Sequence, residues 1–304
     1  MRLSVMISGG LLLAASLLAT GASAQTSEAL SPTLSAIKRS HTVRLGYRES
    51  SPPFSFLDQS GRPIGYSLEL CEAIVEEIGV EVDDPNLRID YVKVTSDDRI
   101  DAVLQNKIDL ECGSTTANAE RGKRVAFSPL MFVAGTKLMV PKASNVRSLT
   151  DLKGKTIVVT KGTTNEQAIQ AADKKFSLGL NIAVGADHEQ SYQMLADGKA
   201  DAFATDDILL SGLIARHKAQ DRFRVTGDYL SYDPYGIMFR KGEPQLAAVV
   251  ERAFRKLGSN RDLVPLYNKW FTARLPTGER LNVPISPQLE EAFKAMDDSA
   301  SANN

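Results

Sequence analysis

The sequence contains few of the residues that proteins use to bind metals. Its 304 residues include two cysteines and three histidines, which are His41, His188 and His217. Neither the cysteines nor the histidines have the spacing of a metal-binding motif. We therefore expect no metal, and the motifs described below imply no other cofactor.

An excess of either charge is also absent, because 36 basic residues are balanced by 37 acidic ones. Surfaces that bind nucleic acids usually carry a basic excess. The hydrophobic fraction of 43% is ordinary for a protein with a packed core. The composition therefore favours a folded globular protein without a nucleic-acid partner.

Long apolar runs are missing except near the start of the chain. Residues 9–19 are apolar but too short to span a bilayer comfortably. They follow the basic Arg2 and precede the small residues 22–24, a pattern typical of a cleavable signal peptide. The alternative is a membrane anchor, which fits less well with the polar residues that follow. We predict a signal peptide at residues 1–24 and an exported protein.

Two cysteines in an exported protein form a disulfide more often than they stay free. Cys71 lies in a stretch with helical spacing, and Cys112 lies near the end of a strand-like run that could be adjacent. The alternative is two unbonded cysteines that pack as small hydrophobic residues. We favour a disulfide between Cys71 and Cys112.

Strand and helix patterns alternate along the first half of the chain. Residues 43–47 and 87–94 alternate as strands do, whereas residues 68–78 have helical spacing with Gly79 as the stop. Hydroxyl and acidic residues at 95–98 then start another helix. This alternation predicts an α/β fold with parallel strands.

A second unit of the same kind begins near Pro141. Thr163 and Thr164 both have capping-box spacing, so the sequence leaves the helix cap open between them. Residues 102–110 and 194–202 resemble each other as a helix end, a polar turn and a strand. We therefore predict two lobes of similar design whose strand ends face one cleft.

Two segments rich in apolar and aromatic residues, 131–140 and 229–239, bracket the second unit. We interpret them as paired crossings between the lobes; the alternative is two ordinary strands in one continuous domain. The first interpretation predicts lobe one at 30–133 plus 236–296, lobe two at 134–235, and a flexible tail at 297–304.

The segment 110–121 carries the strongest functional signal. A strand-like run meets a glycine, then the hydroxyl residues Ser114, Thr115 and Thr116, then a helix-like stretch that contains Arg121. Unpaired N–H groups at a helix start bind anions, and the planar fork of an arginine suits a carboxylate. The segment therefore predicts a site for a small carboxylate.

With these motifs, the chain resembles the periplasmic substrate-binding proteins of ABC importers for polar amino acids, and within them the glutamate/aspartate-binding proteins. The resemblance covers about residues 33–295 and is most specific at residues 46–51, 94–99, 111–121, 162–164 and 205–207. It implies the α/β, two-lobed, type II periplasmic binding protein fold. In that fold each lobe is a mostly parallel sheet flanked by helices, and two crossing segments join the lobes.

The resemblance also implies a set of ligand-binding residues. These are Ser114, Thr116, Arg121 and Thr164 for the α-carboxylate, Asp206 for the α-ammonium, and Arg48, Ser96, Arg99 and His188 for the side-chain carboxylate. Taken alone, such arginines and histidines are more often solvated or packed residues. The neighbouring acid, Asp207, is expected to cap the next helix.

A count of charges favours an acidic ligand. Arg48, Arg99 and Arg121 supply three positive charges and Asp206 supplies one negative charge. A neutral amino acid would leave an arginine unpaired, which is costly in a buried site. Lys161 departs from the small residue that such relatives often carry, and its side chain is expected either in solvent or at the cleft rim.

The implied function is transport and not catalysis. A periplasmic, monomeric protein would capture L-glutamate or L-aspartate, or both, by closure of its lobes and deliver it to an inner-membrane ABC permease. One alternative is a periplasmic dehydratase of a prephenate-like acid, with Glu111 or Asp206 as general acid. Another alternative is a soluble amino-acid sensor module.

Overall fold

The computed structural model describes residues 29–301, so the predicted signal peptide at 1–24 lies outside the described residues. The helices of this range are α1 Pro32–Ser40, α2 Tyr66–Val82, α3 Arg99–Leu104, α4 Thr164–Phe176, α5 His188–Ala196, α6 Asp207–Arg216, α7 Pro244–Ser259, α8 Leu263–Phe271 and α9 Pro287–Ser301. The strands are β1 Thr42–Tyr47, β2 Ser50–Ser51, β3 Ser55–Leu57, β4 Pro63–Ile64, β5 Arg88–Lys93, β6 Leu110–Glu111, β7 Val125–Phe127, β8 Phe132–Ala134, β9 Thr136–Pro141, β10 Thr156–Thr160, β11 Asn181–Gly185, β12 Ala202–Asp206, β13 Phe223–Thr226, β14 Asp233–Tyr235 and β15 Met238–Arg240.

Two sheets of the same design form the centres of two lobes. The first has the strand order β5-β1-β6-β15-β7 and the second the order β11-β10-β12-β9-β13. In each sheet three parallel strands are followed by one strand that is antiparallel to both of its neighbours. The predicted two-lobed α/β fold is confirmed: each sheet is mixed, with four strands in one direction and one strand in the other.

The two similar stretches of sequence form the same structure in the two lobes. Asn106 and Gly198 both adopt a left-handed backbone, with φ of 57° and 73°. The next residue in each copy donates its N–H to a carbonyl five residues earlier, at 2.9 Å. Asp109 and Asp201 then accept a backbone N–H from the neighbouring strand at 2.8 Å and 2.9 Å. This shared turn delivers β6 and β12 to the middle of their sheets.

Apolar clusters hold both sheets in place. In lobe two, Ile157 and Val158 are successive residues of β10 and enter clusters on opposite faces of the sheet, as the pleat requires. The lobe-one cluster lies beneath α2, α7 and α8 and contains Phe254 and Trp270. Burial of such side chains stabilises the fold by about 1.5–3 kcal/mol each, so both lobes offer firm supports for polar groups at their edges.

The lobes are joined by two strands that pair with each other. β8 and β14 run antiparallel, with Asp233 opposite Ala134 and Tyr235 opposite Phe132. The predicted pair of crossing segments is therefore confirmed. The lobe boundaries themselves, 30–133 plus 236–296 and 134–235, stay a prediction.

One predicted helix end is wrong. α2 does not stop at Gly79 but continues to Val82, because Asp83 takes the left-handed conformation and closes the helix on the Gly79 carbonyl. α9 extends to Ser301, and its residue Met296 packs against the lobe-one core. The predicted flexible tail at 297–304 stays a prediction, and residues 302–304 lie outside the described range.

A disulfide joins Cys71 of α2 to Cys112, with 6.2 Å between the Cα atoms. The predicted pairing is confirmed, and both cysteines are fully buried. The bond fixes α2 against the strand that precedes Ser114. Within residues 29–301, none of the helices has the length and apolar character needed to span a membrane.

We expect the combined substitution Cys71→Ala and Cys112→Ala to lower the free energy of unfolding by about 2–4 kcal/mol, because the disulfide restricts the unfolded chain. The bond closes a sequence separation of 41 residues. Urea unfolding of both proteins without ligand gives the difference. Wild type treated with a reducing agent is the matched control and should lose a similar amount. A difference within the roughly ±0.5 kcal/mol of an ordinary surface substitution would contradict the expectation.

Candidate functional site

Strand ends and helix starts of both lobes meet around a cavity between the lobes. Its lining residues carry charged, hydroxyl and amide groups and are Arg99, Ser114, Thr116, Thr163, Thr164, Asn165, His188, Asp206 and Leu209. Six of the predicted site residues are in this set. The other three, Arg48, Ser96 and Arg121, lie beside it, as described below.

Arg48 and Arg99 form a buried pair of cations. Arg48 follows β1 and Arg99 is the first residue of α3, and their exposed fractions are 1% and 2%. Among residues 29–301, the terminal nitrogens of Arg48 and the Nε of Arg99 find no hydrogen-bond partner. Burial, and then the charge of Arg99, lowers the pKa of Arg48 to about 10, so Arg48 stays charged at pH 7. Buried charged donors without acceptors are costly and mark a site for an anion.

Three more polar groups surround this pair. Ser96 Oγ, Ser114 Oγ and His188 Nε2 are buried and have no partner in the described part of the chain. His188 begins α5, and its Nδ1 lies 3.0 Å from the Oγ of Ser51 in lobe one. Burial, and then the two nearby arginines, holds the pKa of His188 well below its ordinary value. The neutral imidazole carries one N–H, so this end of the cavity is rich in donors.

Arg121 lies at the outer side of the cleft. Its Nη1 donates to the Thr116 carbonyl at 2.9 Å and its Nη2 to the Gly162 carbonyl of lobe two at 3.4 Å. Burial, and then a neighbouring arginine, lowers the pKa of Arg121 to about 9. The predicted helix around Arg121 is wrong, because Thr116 bridges to Tyr235 and only a 3₁₀ turn at Arg121–Lys123 follows. At Arg121 the segment therefore offers a side chain and not the start of an α-helix.

Asp206 ends β12 and lines the same cavity. Its Oδ1 accepts the Asn165 amide at 2.8 Å, and its Oδ2 accepts the hydroxyl of Tyr235. Burial, and then the charge of Asp233, raises the pKa of Asp206 to about 7. A carboxylate in this position gains from an approaching cation, which would compensate for its burial.

The structure also shows which residues occupy the N-cap positions of α4 and α6. Thr163 caps α4 by accepting a backbone N–H at 3.1 Å, so the Thr164 hydroxyl faces the cleft. The predicted cap by Asp207 is wrong, because Asp206 occupies the cap position of α6 without a side-chain cap bond. Asp207 instead accepts the Tyr229 hydroxyl at 2.8 Å.

Asp233, which sequence reasoning missed, links both lobes to a crossing strand. It is 2% exposed, and its Oδ1 accepts the hydroxyls of Thr116 at 3.1 Å and of Thr164 at 2.9 Å. Its Oδ2 accepts the Ser231 hydroxyl. The available signal is a single acid within the apolar segment 229–239, since an acid is rarely buried without a partner.

Glu111 is the second missed residue of the site. It is fully buried in β6, and its Oε2 accepts the Thr115 hydroxyl at 2.6 Å. The sequence names it only as a candidate general acid. With Glu111 and Asp233 included, the buried Arg48 and Arg99 and the half-buried Arg121 are matched in number by three buried acids, so the predicted charge count is incomplete. The total charge does not identify the ligand, so the ligand has to be inferred from the positions of the charged groups within the cavity.

The lobes are in contact around the cavity. Lys161 Nζ of lobe two lies 2.9 Å from Asp97 Oδ2 of lobe one, so Lys161 lies at the cleft rim. The hydroxyl oxygens of Thr116 and Thr164 are 3.2 Å apart across the cleft. The cavity volume is about 10 Å³, which is about the room of one water molecule. A larger ligand therefore enters only when the lobes separate.

Residues 43–273 match the bacterial extracellular solute-binding proteins, family 3. The chain belongs to this family. It is 41% identical to the L-glutamate/L-aspartate-binding protein of Pseudomonas aeruginosa, over 89% of this chain and 90% of that one. It is 35% identical to the glutamate/aspartate import solute-binding protein of Salmonella typhimurium, over 88% and 89% of the two chains.

A solved structure has the same fold as this solute-binding protein. It is an ancestral amino acid-binding protein described as a precursor of cyclohexadienyl dehydratase, with 29% identity and a TM-score of 0.68. The match covers 79% of this chain and all of that one. The resemblance inferred from sequence motifs is thereby confirmed at the level of the family and the fold.

The raised pKa of Asp206 predicts how the free energy of unfolding of this solute-binding protein depends on pH. The pKa of Asp206 is about 7 in the folded protein and about 4 in an unfolded chain. Between these values the folded protein binds more protons, so Asp206 makes the free energy of unfolding fall as pH rises from about 4 to about 7. Urea unfolding of the ligand-free protein across this range measures the slope.

The variant Asp206→Asn should remove this contribution, whereas Asp207→Asn, at the adjacent position, should leave most of it in place, because Asp207 is only a minor cause of the raised pKa of Asp206. An Asp206→Asn protein with the wild-type pH slope would show that Asp206 does not titrate in this range.

Proposed function

We propose that this protein captures L-glutamate or L-aspartate between its lobes and delivers it to an ABC permease. One observation carries the proposal: Arg48 is almost fully buried, and both of its terminal nitrogens lack partners among residues 29–301. Arg99, Ser96 and His188 carry further buried polar atoms without partners among the same residues. The charge of Arg48 acts on both Arg99 and His188. A carboxylate on the ligand side chain would satisfy these donors, and the names of the two relatives agree with such a ligand.

The charges divide the cavity into two ends. Arg48 and Arg99 form the end for the side-chain carboxylate, since their charges act on each other there. Asp206 and Asp233 form the other end, which suits the α-ammonium. Arg121 bridges the lobes between Thr116 and Gly162 and is assigned to the α-carboxylate together with Ser114. A dicarboxylic amino acid has one group for each of these places.

The hydroxyl protons refine the roles of two threonines. A hydroxyl has one proton, and Thr116 and Thr164 both donate theirs to Asp233. Their remaining lone pairs suit the N–H donors of an ammonium and not a carboxylate. We therefore assign both hydroxyls to the α-ammonium, with Asp206, in place of the α-carboxylate role that the resemblance implies.

Closure couples binding to delivery. A ligand that contacts groups of both lobes favours the closed arrangement over the open one. We propose that a periplasmic monomer in this closed form docks on the permease. Deletion of the gene should reduce cellular uptake of glutamate or aspartate; unchanged uptake would favour the amino-acid sensor instead.

A dehydratase is the enzymatic alternative, and the raised pKa of Asp206 is the observation in its favour, because a protonated acid can donate a proton. The hydrogen bonds that Asp206 accepts from Asn165 and Tyr235 favour its ionised form, which suits an ammonium group. Incubation of the purified protein with prephenate or arogenate should give no aromatic product. Formation of product that Asp206→Asn abolishes would establish the enzyme.

Two arginine substitutions should separate selectivity from general affinity. Arg99→Met should weaken glutamate and aspartate on the order of 100-fold, because it leaves the side-chain carboxylate poorly paired. It should weaken glutamine and asparagine much less. Arg121→Met should weaken all four ligands to a similar degree, since every amino acid has an α-carboxylate. Titration calorimetry on ligand-stripped protein measures the four affinities.

Arg124→Met is a matched control, because Arg124 is exposed on the same side and pairs with Asp101 outside the cavity. It should leave all affinities near the wild-type values. Equal losses across the four ligands for both Arg99→Met and Arg121→Met would refute the division of roles.

A further inference from the structure

Glu111 is a buried acid beside the arginine pair, and the proposed function gives it no role as a ligand contact. It is fully buried, and its Oε1 has no hydrogen-bond partner among residues 29–301. Its negative charge acts on Arg48, Arg99 and Arg121 and raises the pKa of each, against the larger lowering by burial. Glu111 is therefore close enough to influence the arginines electrically.

Glu111 nevertheless leaves the guanidinium groups free. Within residues 29–301, no ion pair closer than 4.0 Å joins Glu111 to any arginine, and the Thr115 hydroxyl holds its Oε2 at 2.6 Å. A direct salt bridge would occupy the donors that an incoming anion needs. From beyond the range of a salt bridge, Glu111 lowers the positive electrostatic potential at Arg48 and Arg99 without occupying the N–H groups of the two arginines.

The lack of a side chain at Gly113 leaves room for Glu111 in this position. A Cβ atom added at Gly113 would lie 2.3 Å from Glu111 Oε1 and 3.0 Å from Arg48 Cγ. Any other residue at 113 would therefore push apart the acid and the arginine. A glycine at this point allows Glu111 and Arg48 to pack against the same short stretch of chain.

The sum of the charges near the arginine pair then determines which charge the side chain of the ligand can carry. Several acids act on Arg48 and Arg99, and Glu111 has the largest effect on both. Set against the two positive charges of the arginines, its negative charge leaves about one positive charge for the side chain of the ligand. We propose that Glu111 sets the charge selectivity of the side-chain end, so that the site accepts a singly charged carboxylate and disfavours a doubly charged group such as a phosphate monoester. This inference rests on the proposed function, because it assumes that the ligand side chain lies at the arginine pair.

A series of ligands with different side-chain charge tests the role of Glu111. Glutamine, glutamate and O-phosphoserine carry side chains with charges of 0, −1 and about −2 at neutral pH. Removing the charge of Glu111 adds the same favourable potential to each unit of negative charge. The change in affinity from wild type to Glu111→Gln should therefore rise with each step of the series, on the order of tenfold per charge.

Calorimetry with wild type, Glu111→Gln and Glu111→Leu measures these changes. The leucine variant is included because an apolar residue of similar size often replaces a buried charge without loss of stability, so that a neutral variant is available if the glutamine variant does not fold. Glu120→Gln removes an exposed acid at the rim and is the matched control for long-range charge effects. Its effect should also rise with ligand charge but stay far below that of Glu111→Gln, because solvent screens an exposed acid.

The comparison within each variant separates selectivity from structure. A purely structural role for Glu111 predicts equal losses for all three ligands, and that result would overturn the inference, as would a gain for glutamine over O-phosphoserine. Wild type that binds none of the acidic ligands would overturn the proposed function as well. Wild type that binds glutamate tightly, with no dependence on ligand charge in either Glu111 variant, would overturn only this inference.

Discussion

The burial of two neighbouring guanidinium groups is the interaction on which the site depends. Arg48 and Arg99 repel each other and lose hydration. Among the described residues, the terminal nitrogens of Arg48 and the Nε of Arg99 have no hydrogen-bond partner. A folded protein tolerates two buried cations only where other contributions to its stability are large and where an anion pairs with the cations. Glu111 supplies part of the compensation from inside the protein, and a ligand carboxylate would supply the rest. Affinity and selectivity then have the same physical origin.

The remaining architecture keeps this unfavourable arrangement in place and makes it accessible. Repeated helix–turn–strand units deliver β6 and β12 to the centres of the two sheets, so Glu111 and Asp206 arrive at facing edges. The disulfide between Cys71 and Cys112 fixes the strand that leads into the site. Asp233, on a crossing strand, accepts hydroxyls from both lobes. Closure therefore brings together groups that neither lobe could assemble alone.

The sequence predicts those features that depend on local pattern or on a family motif. The alternation of strands and helices indicates the two α/β lobes, and the motif around Arg99 and the hydroxyl residues indicates the anion site. It does not predict Asp233 as a site residue, and it names Glu111 only as a candidate general acid, because their roles depend on contacts between distant segments. Asp207 is misassigned for the same reason, since only the fold places Tyr229 next to it. Long-range pairing of polar groups is the information that local patterns lack.

Calorimetric comparison of glutamate with glutamine on ligand-stripped protein tests the central claim most directly. The two ligands have nearly the same size and differ in one charge at the end of the side chain. If the buried arginine pair selects the ligand, glutamate should bind more tightly by on the order of 100-fold or more, because glutamine leaves buried cations unpaired. Equal affinities, or tighter binding of glutamine, would contradict the account.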